Sequence, residues 1–165
     1  MANKSKFITQ ELLQSVFDAR SAAWTKLYIT DVPDRVAAVI LVLDPAYPIG
    51  IAPEPRELWH GVFGEQDPRK WPNGRPYRDF AFAKARAAWR TQMDNHSMLL
   101  KPELIQVGDF KYHGGIYREG LSAGLSGFKT ADDDLTVCNE FINAVKNALN
   151  IPFRKELENT SVYTF

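Results

Sequence analysis

Lys84 and His113 are the two side chains most able to do chemistry in this sequence, and both stand in unusual company. Lys84 lies in an apolar, alanine-rich run (YRDFAFAKARAAWRTQM, Tyr77 to Met93). An ammonium buried there must be paired or lose its charge. Two uses meet that demand: holding a ligand carboxylate or phosphate, or pairing with an acid of the chain such as Asp109 or Asp133. His113 precedes Gly114-Gly115, and imidazole both changes charge near neutral pH and ligates metals. It suits ligation or proton transfer, or else a hydrogen-bonded place on a pocket rim. The double glycine has no side-chain bulk and can take positive φ, so its amides are able to approach a ligand closely.

Other polar residues give weaker signals. His60 alternates with Trp59 in LWHGVF, and His96 sits in the polar turn DNHS, where a cap is the simpler reading. Three histidines this far apart make no metal-site spacing, so no metal is expected. Asp132, Asp133 and Asp134 stand at a helix start, where carboxylates serve as cap and solvated charge. No nucleophile elbow, phosphate loop or dinucleotide fingerprint occurs. Trp59, Phe63, Trp71, Tyr77 and Tyr112 either floor a pocket for a planar ligand or seal the core and subunit contacts.

The elements that must position these residues can be read in order. Leu12, Val16, Ala19, Ala23 and Leu27 recur at helical spacing behind Thr9, a candidate N-cap, and Pro33 closes the segment. Arg35 to Asp44 (RVAAVILVLD) is an unbroken aliphatic run of strand length, which predicts a central strand covered on both faces. Pro45 to Pro76 holds seven of the ten prolines. It reads as a long excursion with two short strands, Ile49 to Ala52 and Glu57 to Phe63, of the kind that serves function or subunit contacts. Tyr77 to Met93 is the second helix, and its basic residues Arg78, Lys84, Arg86 and Arg90 form no single solvent stripe. A short helix is expected at Lys101 to Ile105. A strand, a short reversal and a half-buried strand over Leu121 to Ser126 follow the glycine turn. Thr130 and Asp133 form a capping box for a last helix from Ala131 to Leu149, stopped at Asn150-Ile151-Pro152. The tail 150–165 carries aromatic residues expected to pack on a neighbour. The order predicts an α+β domain over residues 1–165, with helices covering an antiparallel or mixed sheet.

Composition sets the outer limits. With 165 residues and 45% hydrophobic content the chain can bury a core as one domain. Lys plus Arg and Asp plus Glu both number 20, so no global field draws it to nucleic acid or an anionic membrane. Cys138, the one cysteine, falls on the apolar stripe of the last helix and reads as core packing. The opening residues lack a signal-peptide apolar stretch, and the longest apolar run, Val36 to Leu43, is too short to span a bilayer. The expectation is a soluble, cytoplasmic protein.

Four motifs in order carry a resemblance. The helix with Ala83-Lys84-Ala85, the turn Gly114-Gly115-Ile116, the strand end Leu125-Ser126-Gly127 and the acidic start of the last helix resemble the haem-degrading domain family of GlcG and HbpS, which includes the C-terminal domain of PduO. The resemblance spans roughly residues 9 to 149. Three departures stand out: Ala83 for the family's aspartate, Tyr117 for the proline after the turn, and a longer excursion from Pro45 to Pro76. The resemblance implies a profilin-like three-layer α-β-α sandwich with a mostly antiparallel central sheet, assembling as a homo-oligomer with pockets between subunits. It also implies haem or a corrinoid as cofactor in some members; the ligand site is expected at Lys84, which matches the family's lysine, and the turn Gly114-Gly115, with His113 and Tyr117 beside it.

Three functions follow. The first is an oligomeric small-molecule-binding protein, for haem or another tetrapyrrole. The second is an enzyme on a small anionic substrate, with Lys84 orienting the anion, His113 as acid or base, and the glycine-turn amides stabilising negative charge. The third is an assembly protein without a ligand.

Overall fold

The computed structural model of the chain describes residues 7–158. Helix α1 (Gln10–Thr25) starts where Thr9 Oγ1 accepts from the Leu12 amide at 3.1 Å, as the N-cap reading requires. It runs into a single wide turn over Lys26–Thr30. Strand β1 (Ala37–Leu43) and strand β2 (Glu57–Gly64) then pair antiparallel. Helix α2 (Tyr77–Thr91) and a short helix α3 (Asn95–Met98) come next. Strands β3 (Gly115–Arg118) and β4 (Leu121–Ser126) form a hairpin, and helix α4 (Ala131–Glu158) closes the chain. The sheet order is β2-β1-β4-β3 and every pairing is antiparallel. Helices α1 and α4 cover one face and α2 the other. This is an α+β sandwich of three layers. Among the described residues no helix is long and apolar enough to cross a membrane.

β1 shows why the aliphatic run does not alternate. Ala38, Ile40 and Val42 face α1 and α4, whereas Ala37, Val39, Leu41 and Leu43 face α2. Both faces are dry, so both must be apolar. The two cores nevertheless differ in texture. On the α1/α4 side large rings interlock: Trp59 stacks on Phe141 at 5.4 Å and 11°, and Phe17 meets Phe63 at 5.0 Å. On the α2 side, the helix presents Ala81 and Ala85 to the sheet.

That close approach corrects the reading of β4. Ser122, Gly124 and Ser126 alternate with Leu121, Ala123 and Leu125, which suggested one wet face. All six are buried. A Cβ at Gly124 would lie 2.1 Å from the Ala81 carbonyl oxygen, and one at Gly115 only 2.3 Å from that of Lys84. The small residues make room for α2 rather than meet water.

Three boundaries also differ from expectation. Ile49 and Ala52 make only an isolated bridge within a turn, because the prolines around them supply too few donors for a strand. Lys101 to Ile105 contracts to a single tight turn, Pro102–Leu104, while the helix in this region, α3, forms in the segment read as a polar turn. α4 continues past Pro152 to Glu158 instead of stopping at Asn150. The first two turns before Pro152 already fix the helical path, so one missing donor does not end it. The packing expected of the tail's aromatic residues lies outside the described side chains.

Side chains occupy part of the free backbone edge of each outer strand. On β3, the Tyr117 amide donates to Asp94 Oδ1 at 3.1 Å, and the Arg118 guanidinium also reaches that carboxylate. On β2, Gln10 donates to the Leu58 carbonyl at 2.9 Å, and Gln66 donates to the carbonyls of Val62 and Gly64 at 2.9 and 3.1 Å.

Candidate functional site

Lys84 is fully buried between α2 and the start of α4. Its Nζ donates to the Leu125 carbonyl at 2.8 Å and to Asp134 Oδ2 at 3.0 Å. The pairing acid is therefore Asp134, neither Asp109 nor Asp133. Asp109 sits on Arg90 with two bonds of 2.8 Å, tying the segment before β3 to α2. Asp133 completes the cap, its amide donating to Thr130 Oγ1 at 3.1 Å. Asp134 Oδ1 accepts from the Phe128 amide at 3.0 Å, so one carboxylate fixes both the lysine and the loop before α4. Burial pushes the Asp134 carboxyl up to about 6, against the pull of Lys84 and the Phe128 amide. Burial also holds the Cys138 thiol, one turn further along α4, well above its usual range. That thiol is a packing group.

The double glycine belongs to this arrangement. Gly114 has φ +136°, and a Cβ there would lie 2.8 Å from the Leu125 oxygen and 3.0 Å from Lys84 Nζ. The space that seemed open for a ligand is filled by the lysine itself. His113 turns the other way: its Nε2 lies 2.7 Å from Asp132 Oδ1, and its ring meets that of His96 edge-on at 5.2 Å. Tyr117 stands on β3 beside α3, held through its amide by Asp94. His60 lies 3.3 Å from Glu57. Although burial opposes it, hydrogen bonds from His60 and Arg78 bring the Glu57 carboxyl down to about 2. No group of three or more His, Cys, Asp or Glu side chains able to hold a metal occurs among the described residues.

Of the predicted site residues, Lys84 alone lines a substantial cavity. This cavity, about 460 Å³, opens between α2, the segment before β3 and the loop before α4. Lys84 and Asp134 form part of its lining. Phe80 and Phe110 make an aromatic wall, stacked at 4.4 Å and 19°, and Tyr112 meets Phe110 edge-on at 5.6 Å. Lys84 Nζ lies 5.4 Å from the Phe110 ring centre. Of the aromatic residues singled out in the sequence, Tyr77 and Tyr112 reach this cavity, whereas Trp59 and Phe63 lie in the opposite core.

Sequence reasoning missed Asp134, Arg35, Phe80 and Phe110 as site residues. Asp134 had a readable signal. It stands four residues before Cys138 and eight before Ile142, so it shares the stripe that α4 buries. Phe110 lies in an irregular segment with no periodicity to read, and Arg35, read as the head of the aliphatic run, stands just before β1.

The fold is similar to that of solved structures. A double mutant of Streptomyces reticuli HbpS is similar over 90% of this chain and 90% of that one, with 19% identity and a TM-score of 0.54. HbpS in a second structure is similar over 90% and 94%, with 17% identity and a TM-score of 0.54. The chain has an HbpS-like fold. No protein-family model matches it, and no curated protein matches it in sequence. At this identity the HbpS-like fold is a statement about architecture, and the site must be argued from its own residues.

Proposed function

We propose that this chain is an oligomeric small-molecule-binding protein of the GlcG/HbpS type, whose ligand occupies the cavity beside Lys84 and Asp134. The observation that carries the reading is the stacked Phe80–Phe110 wall over a buried, internally neutralised ion pair. Stacked rings beside a cavity of this size suit a planar molecule. The ion pair fixes the cavity's base without needing the ligand for charge balance. Exposed Leu100, Ile105 and Val107, on the segment between α3 and β3, support self-association, which light scattering on the eluting protein would check.

A tetrapyrrole meets this lining at its rim but not at its iron. Aromatic faces are available for the macrocycle and cationic side chains for its carboxylates. The lining holds no histidine, methionine or cysteine, and His113 is engaged with Asp132 outside it. Tyr77 and Tyr112 supply the lining's phenol oxygens, a less common haem ligand. Iron-free protoporphyrin should therefore bind about as tightly as haem in an absorbance titration, and Phe110→Ala should weaken both. Failure of both to saturate would sink the tetrapyrrole reading. His113 is not among the residues lining this cavity, so the reading proposed for it does not rest on an acid–base pair of Lys84 and His113.

A further inference from the structure

We infer that the cavity selects a planar organic oxyanion, with Arg35, Arg75 and Lys129 as its anion-binding residues; this rests on the cavity being the ligand site. All three cations line the same cavity, and none has a carboxylate within ion-pair distance among the described residues. The one carboxylate of the lining, Asp134, is already used by Lys84 and the Phe128 amide. The contrast with the rest of the molecule is sharp, because the whole chain is neutral at 20 against 20. Two other cavities have matched cations: around the depression of about 480 Å³ between Ile8, Leu121 and Leu149, Arg118 meets Asp94 and Lys146 meets Glu119, and Arg78 beside Trp71 meets Glu57, while Arg56 at a third lies over the Tyr47 ring.

Arg35 carries the specificity. Its Nη1 donates to the Phe128 carbonyl at 3.3 Å, which anchors the guanidinium to the loop before α4. Its Nε is buried and has no hydrogen-bond partner. A buried donor left unmatched costs stability, and an oxyanion that draws the guanidinium round to meet it regains that energy on binding. The guanidinium fork fits carboxylate and phosphate oxygens alike. Arg75 and Lys129 are exposed at the mouth and add charge without fixing geometry. The stacked Phe80 and Phe110 then demand that the anion carry a flat, apolar body. A neutral flat molecule would satisfy the rings and leave three positive charges unanswered.

The test uses three probes of one ring system: 2-naphthoate, 2-naphthyl phosphate and the neutral 2-naphthamide, titrated calorimetrically into the full chain. At least one anion should bind tenfold or more tightly than the amide, and the tighter of the two identifies carboxylate or phosphate as the preferred head group. Arg35→Gln should take away most of the preference for the anion over the amide, leaving the few-fold that Arg75 and Lys129 supply. Lys129→Gln, at an exposed position that cannot disturb folding, should weaken the anion about threefold and leave the amide unchanged. Equal binding of amide and anions would overturn the anion inference while leaving the cavity as a ligand site. Binding by none of the three would overturn both.

Discussion

The two faces of the sheet solve the same burial problem in opposite ways. On the α1/α4 side, Phe17, Trp59, Phe63 and Phe141 fill a thick layer with large rings. On the α2 side, alanine meets glycine, the helix backbone nearly touches the sheet, and the polar groups Lys84, Asp134 and Ser122 are buried. The thick layer draws its stability from area. The thin layer draws little from area; Lys84 and Asp134 tie the end of β4 and the loop before α4 to one helix, while the Ser122 hydroxyl makes no hydrogen bond. The candidate cavity belongs to the thin side, where rigidity comes from directed bonds rather than from bulk.

If that division holds, truncation should be costliest in the thick layer. Phe141→Ala should lose about 3–5 kcal/mol, read as a lower denaturation midpoint with an unchanged slope. On the thin side, Lys84→Met should cost a comparable about 3–5 kcal/mol near pH 8 by stranding the Asp134 carboxylate. The loss should shrink at pH 5, where the stranded carboxyl takes a proton. Joining it with Asp134→Leu should recover most of the loss, an outcome that packing alone would not give. Gly124→Ala should cost about 1–3 kcal/mol by pushing α2 away, although it adds a single methyl group. The opposite result, a stabilised variant, would mean that α2 is not tightly seated.

The smallest expected effects are in pH dependence, and two carboxyls should move in opposite senses. Asp134 is raised to about 6 by burial, so the folded chain takes up that proton before the unfolded chain does. Its contribution therefore favours folding increasingly as pH falls from about 6 through the ordinary carboxyl range. Glu57 is brought down to about 2 by His60 and Arg78, in spite of burial. Its contribution is complete above the ordinary carboxyl range and is lost as pH falls towards 2. Melting temperatures of Asp134→Asn and Glu57→Gln, each compared with the parent across pH 2 to 7, should diverge in those two separate windows.

The same comparison explains what could be read from the sequence. The thick layer follows largely from periodicity: Val16, Phe17 and Trp24 on α1, the unbroken β1 run, and Cys138, Ile142 and Val145 on α4 are buried as their spacing announces, whereas Ala19, Ala23 and Leu27 of the expected α1 stripe are exposed and Leu13 takes their place in the core. Lys84 was legible because a charge among alanines and phenylalanines is conspicuous. The thin layer was not, since serine and glycine alternating with leucine look the same beside water and beside a helix backbone. Its closest contacts join residues far apart in the chain, such as Lys84 to Asp134 and Gly124 to Ala81. Pairings of that kind depend on the order of strands, and the local pattern holds no trace of it.

The side chains that cap the two sheet edges have a consequence for crowding and ageing of the protein. An open strand edge is the usual template for runaway strand-to-strand growth. Here Asp94 takes the amide of Tyr117 on one side, and Gln10 and Gln66 take three carbonyls on the other. A second copy therefore finds those groups already taken, and edge-to-edge pairing would first have to break these bonds. Losing Asp94 or Gln66 would bare those groups for lateral pairing.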